Sequence, residues 1–192
     1  MLPSELLENK INTLQDLLLG IGKLNIDVFS ECAEIFARCL KNRNTIFWCG
    51  NGGSAAESSH LATELIGRFK RNRIPYSSIS LNSDTAAITC IANDFGYDEV
   101  FARQLEGLGK KGDVLIVLST SGESENILRV LRKAKDMDIT SIALLGKGGG
   151  RAALISDLAI VINSDETARI QEMHLLLGHT FCEYAEIALG IA

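Results

Sequence analysis

From Asn42 onward the chain repeats one pattern, a short run of Ile, Val or Leu followed by a longer amphipathic stretch and then another such run. The runs are Thr45–Cys49, Ser77–Leu81, Val114–Leu118, Ser141–Leu145 and Leu158–Ile162. Runs apolar on both faces suit a parallel sheet, because each crossover helix covers one face and leaves neither side to water. Covering helices are predicted over Ala55–Phe69, Asp98–Gly107, Ser124–Met137 and, after Asp165, from Ala168 to about Leu189. Five strands joined by right-handed crossovers favour a flavodoxin-like order, with the second strand outside the first and the third on its other flank. Ligands of such sheets bind beyond the carboxyl ends of the strands where the winding reverses, here between the first and third.

Two helices precede this core. Leu7, Ile11, Leu14, Leu18 and Ile21 recur at steps of three and four, as do Val28, Cys32, Ile35, Phe36 and Cys39, so each helix is expected to bury one stripe. Leu6, Leu17, Leu19 and Leu24 widen the first stripe beyond what one sheet can cover, which predicts contact with other subunits. The whole chain, 1–192, reads as one α/β domain, a three-layer sandwich with a helical pair over about 4–41 and the core over about 44–192. A composition 46% hydrophobic is enough for one core. Gly146–Gly150 is a turn between a strand and a helix, not a linker.

A net charge of −5 argues against a nucleic-acid surface. Lys70, Arg71 and Arg73 beside Phe69 read as a solvated face. Cys32, Cys39, Cys49, Cys90 and Cys182 lack metal-finger or redox spacing and read as reduced core thiols. With no apolar run of spanning length and no basic, apolar leader at Met1–Lys10, the expectation is a cytoplasmic protein without a membrane partner.

Two loops stand at the switch point. The first strand runs into Gly50-Asn51-Gly52-Gly53-Ser54 and a helix, letting backbone amides approach an oxyanion, although a tight strand-to-helix turn needs the same glycines. The third runs into Ser119-Thr120-Ser121-Gly122-Glu123-Ser124, four hydroxyls in six residues, which is either a neutral phosphate cradle or a helix cap using Ser121 or Ser124. Neither loop carries the Gly-Lys-Ser/Thr ending or the three-glycine spacing of nucleotide sites. A sugar carrying a phosphate is the ligand class that remains.

These loops, with Asn93-Asp94-Phe95-Gly96 and Arg169-Ile170-Gln171-Glu172-Met173-His174, resemble the sugar isomerase (SIS) domain family and, within it, the phosphoheptose isomerase branch, over about Leu40 to Cys182. The resemblance implies a homotetrameric aldose-ketose isomerase that acts on sedoheptulose 7-phosphate. It places substrate at Asn51, Gly52, Gly53, Glu64, Asn93, Asp94, Ser119, Thr120, Ser121, Ser124 and Gln171, and one zinc per subunit at His60, Glu64, Gln171 and His179. Glu64 and His179 would be the catalytic base and acid. Residue chemistry agrees: His60 and Glu64 are four apart on one helix face. Gln171 and His179, eight apart on the last helix, are separated by roughly 80° around its axis. His174 is left to packing or to support of the site, and Asp94 either binds a sugar hydroxyl or caps the helix that follows it. A non-catalytic branch of the family associates with the bacterial replication initiator and shares most motifs, but lacks the Glu64 and His179 pair. Glu57, where many relatives carry Asp, and Ala168, where some carry an acid, depart from the pattern.

Overall fold

The computed structural model describes residues 1–24 and 26–191. Two helices, α1 (Pro3–Leu24) and α2 (Ile26–Lys41), lead into β1 (Ile46–Gly50), α3 (Gly53–Ile66), β2 (Ser78–Ser80), α4 (Thr85–Phe95), α5 (Ala102–Leu108), β3 (Val114–Ser119), α6 (Glu125–Asp136), β4 (Thr140–Leu145), α7 (Ala152–Ile155), β5 (Leu158–Val161) and α8 (Thr167–Ala188). All strand pairs are parallel and the order is β2-β1-β3-β4-β5, the expected flavodoxin-like winding. Alternation along each strand divides the core. From β1, Ile46 and Trp48 face the layer of α2, α3 and α8 with Phe36, Leu61 and Phe181, while Phe47 and Cys49 face α5 and α6 with Phe101, Leu105 and Leu131.

Four sequence expectations change. Helix α4 is absent from the sequence reading: Asp84 caps it by accepting the Ala87 amide at 2.9 Å, and its short stripe of Ile88, Ile91 and Ala92 packs on the core without burying any side chain fully. The helix expected over Asp98–Gly107 is broken into a single 3-10 turn, Tyr97–Glu99, followed by the shorter α5. In α1, Leu14, Leu17 and Ile21 pack partly on the core, whereas Leu7, Ile11 and Leu18 are exposed by 61%, 46% and 42%, so the stripe is not buried within one subunit. The Leu24 side chain lies outside the described residues. Finally, Arg73 is not part of a solvated face, because its side chain is 2% exposed and paired with the equally buried Glu186.

Four of the five cysteines are buried, and Cys90 is exposed. Burial pushes the Cys32, Cys39 and Cys182 thiols up to about 12, which leaves them protonated and unreactive. Among the described residues no helix is long and apolar enough to cross a membrane.

Candidate functional site

Three helices begin at one pocket. Asn51, Gly52, Gly53, Ser119, Thr120, Ser121, Ser124, Thr167 and Gln171 line a cavity of ≈ 270 Å³ above the carboxyl ends of β1 and β3. Its walls are the starts of α3, α6 and α8, and among the described residues none of the three N-caps, Gly52, Ser124 and Glu166, makes a side-chain capping bond. First-turn N–H groups without side-chain caps carry partial positive charge, so three helix starts around one space suit an anion. Among the described residues no Lys or Arg lines that space. The capping alternative for Ser124 fails on this geometry.

Backbone contacts hold the cradle in shape. Ser119 Oγ accepts the Gly122 amide at 3.0 Å and Ser121 Oγ that of Glu123 at 3.3 Å. Gly122, at φ 65°, lies so close to the Gly149 carbonyl that a Cβ would overlap it, which ties the Gly146–Gly150 turn to the phosphate loop. Arg151 secures the same loop through Glu123, with Nε donating at 2.6 Å and its backbone N–H at 2.8 Å. Across the switch point, Asn51 and the buried Asn126 exchange two amide hydrogen bonds of 2.9 Å, and the Tyr97 hydroxyl donates to Asn51 Oδ1 at 3.2 Å. Asn126, Tyr97 and Thr167 were not legible as site residues, since each lies within a helical or turn pattern without a motif of its own.

The second cluster lies further along α3 and α8. His60 Nε2 is 2.9 Å from His179 Nε2 and 3.4 Å from Glu64 Oε1. One donor atom from each of the three residues falls within 4.8 Å of the others, close enough for small side-chain adjustments to bring them onto a shared centre. The donor chemistry fits a divalent metal, and this His/His/Glu set is capable of holding one. Burial, followed by the neighbouring His60, lowers the His179 pKa, with Glu64 opposing, which favours the neutral imidazole that coordinates a metal.

Other expected residues are placed differently. Gln171 lies over Gly53 in the cradle, so close that a Cβ on that glycine would overlap its amide. Asn93 and Asp94 sit in the exposed last turn of α4, outside the cradle lining, where Asn93 Nδ2 donates to Asp94 Oδ1 at 2.7 Å. Asp94 ends a helix and caps none. His174 is fully buried with no well-aligned hydrogen bond to either nitrogen among the described residues, and burial lowers its pKa to about 4, with the Leu145 backbone opposing. Glu57, one turn before His60, has a buried Oε2 without a partner among the described residues, and burial raises its pKa to about 7.

Comparison with known proteins gives the same architecture and the same family. The model of the SIS domain matches residues 11–146. A phosphoheptose isomerase of Helicobacter pylori (strain P12) is 45% identical over 95% of this chain and 89% of its own length, and one from Nitratiruptor sp. is 55% identical over 77% and 79%. Among solved structures, the phosphoheptose isomerase of Francisella tularensis superposes with a TM-score of 0.92 at 31% identity over 96% of this chain and 98% of that one. That of Neisseria gonorrhoeae gives 0.89 at 35% over 95% and 98%. With three helix N-termini around one cavity, a His/His/Glu cluster beyond it and relatives matched over most of their length, the chain belongs to the SIS domain family and, within it, to the phosphoheptose isomerases.

Proposed function

We propose that the protein interconverts sedoheptulose 7-phosphate and D-glycero-D-manno-heptose 7-phosphate in the cytoplasm, supplying heptose precursors of bacterial surface polysaccharide. The observation that carries this reading is the separation of the two clusters along the same pair of helices. His60 follows Gly53 by seven residues and His179 follows Gln171 by eight, which is about 10–12 Å of helix rise. An extended seven-carbon sugar phosphate bridges that distance with its phosphate in the cradle and its carbonyl end at the cluster. A triose phosphate is too short.

In this reading the Glu64 carboxylate takes the proton from the carbon next to the carbonyl. The C–H electron pair forms the enediolate double bond, and the carbonyl pair moves onto oxygen. Returning the proton to the neighbouring carbon completes the isomerisation, while His179 exchanges protons with the two oxygens. A zinc ion held by His60, Glu64 and His179 would supply positive charge beside those oxygens. The position of Gln171 in the cradle supports a substrate contact, and its membership in the metal set rests on resemblance alone. A homotetramer joined partly through the exposed leucines of α1 would bring subunit boundaries near the sites, and exposed Asn93 and Asp94 would then meet substrate from such a boundary.

A sugar-phosphate-binding regulator of the replication-initiator-associating type is the second reading, and the converged Glu64 and His179 weigh against it. Product analysis with sedoheptulose 7-phosphate decides between them. Formation of the aldose is expected, and binding without turnover would establish the regulator instead.

A further inference from the structure

The four residues Phe69, Lys70, Arg71 and Arg73 form a strap between α3 and β2, and the proposed chemistry gives them no part. We propose that this strap is a positioning device for His179, with Phe69 as its contact residue and the buried Arg73–Glu186 pair as its anchor; this rests on the reading of His179 as a working residue. The Phe69 ring stacks on the His179 imidazole with centroids 5.4 Å apart and an interplanar angle of 19°. His60 meets the same imidazole edge-on at 5.1 Å and 80°. A ring held by one face and one edge has little freedom to rotate about its Cβ–Cγ bond, and this keeps Nε2 directed at His60 and Glu64.

The anchor fixes where Phe69 sits. The backbone amides of Phe69, Lys70 and Arg71 donate to the Glu186 carboxylate at 3.4, 3.1 and 3.2 Å, and Arg73 Nε donates to it at 3.1 Å. Glu186 lies two turns beyond His179 on α8. The other end of the Arg73 guanidinium donates to the carbonyls of Glu64 at 2.7 Å and Leu65 at 2.8 Å in the last turn of α3, where the Leu65 carbonyl also accepts the Tyr76 amide at 3.1 Å. One buried ion pair therefore couples the backbone of Glu64 to the helix carrying His179. Lys70, pairing with Glu183 at 2.6 Å, adds a partly exposed tie to the same helix. Burying a carboxylate and a guanidinium is costly, and apolar residues of the same volume would close this gap as stably. They would not, however, hold three consecutive amides and two helix-end carbonyls in one geometry.

The test compares wild type with Phe69→Leu, which removes the stacked face but keeps apolar bulk, and Phe69→Tyr, which restores it. Three readouts are taken: kcat and KM, the zinc dissociation constant by chelator competition, and the His179 ring-proton resonance in the metal-free protein. Phe69→Leu is expected to lower kcat about tenfold with KM within about twofold, to weaken zinc about tenfold, and to move the His179 resonance downfield as the ring current is lost. Phe69→Tyr is expected to restore all three. An unmoved His179 resonance, or wild-type kcat and zinc affinity in Phe69→Leu, would overturn the proposal, as would failure of Tyr to rescue. A wild-type protein with no turnover sinks the isomerase reading separately, and the resonance and zinc affinity then still judge the strap.

Discussion

Lowering the pH from 7.5 to 5 should reveal His174 as a buried acid-labile element. Its imidazole is fully buried with no well-aligned hydrogen bond to either nitrogen among the described residues, and burial lowers its pKa from 6.5 to about 4 against the opposing Leu145 backbone. Because the folded value is depressed, the unfolded chain takes up the proton first; the stabilising contribution is complete above 6.5 and is lost as the pH falls toward 4. Linkage over that window amounts to about 3 kcal/mol in full and about 2 kcal/mol by pH 5. With a urea dependence of about 2 kcal/mol per molar for a chain of this size, the midpoint moves by about 1 M. His174→Leu has similar volume, removes the titration and gives up only a weak approach to the Leu145 backbone, so at pH 7.5 it should lie within about 1 kcal/mol of wild type. Urea unfolding is compared at both pH values and at one subunit concentration, since assembly would couple to unfolding. Wild type should lose about 2 kcal/mol more than the variant. Equal losses would refute the argument, because His174 would then titrate as an exposed histidine. A variant weakened by more than 3 kcal/mol at pH 7.5 would mean that a partner holds the ring.

Glu64→Gln should reduce kcat by at least about 10³-fold while sugar-phosphate affinity changes little, because the amide keeps the shape without accepting a proton; kcat near wild type in a turnover assay removes Glu64 as the base. His179→Ala should both abolish turnover and lower zinc content on metal analysis. Since Ser124 makes no capping bond, Ser124→Ala should weaken phosphorylated sugars by about tenfold and alter stability by less than about 0.5 kcal/mol. Calorimetric titration paired with thermal unfolding checks this, and the reverse pattern would mark Ser124 as a cap. Glu57→Gln should exceed wild-type stability by about 1–2 kcal/mol at pH 8, allowing for its partial exposure. The raised Glu57 pKa of about 7 penalises the ionised form, so the gain shrinks as the pH falls through 7 and is gone below 4.5; urea unfolding across that range reads it. Leu18→Glu places a charge on the exposed face of α1 and should yield a smaller species in light scattering, with activity lowered in parallel.

How much of the site was legible depended on whether the signal was local. The cradle loops follow strands whose apolar runs are self-evident, so the position of Asn51–Gly53 and Ser119–Ser124 beyond β1 and β3 is legible in the sequence. Thr167 escaped notice because the start of α8 has no hydroxyl-rich or glycine-rich loop, and its approach to the cradle depends on how α8 crosses the sheet. The resemblance gives Gln171 to both the substrate and the metal set, and its side chain reaches Gly53 at the cradle end of α3. The basic cluster at Lys70–Arg73 looked solvated because charge in a sequence does not disclose its partner. Glu186, more than a hundred positions away, buries Arg73.

By itself, the sequence determined the five strands, their parallel winding and the reversal between β1 and β3, since residue periodicity and crossover handedness act over one unit at a time. It also determined that the two loops themselves carry no Lys or Arg, which is a matter of composition. Tertiary structure alone decided which helix ends share the cradle, that His60 and His179 come within 2.9 Å across 119 positions, and that a buried ion pair joins the helices beneath them. The physical reason is that periodicity specifies which face of an element is buried but not which distant element covers it. That choice is made when whole layers pack, and it places polar groups where their partners from elsewhere in the chain are waiting.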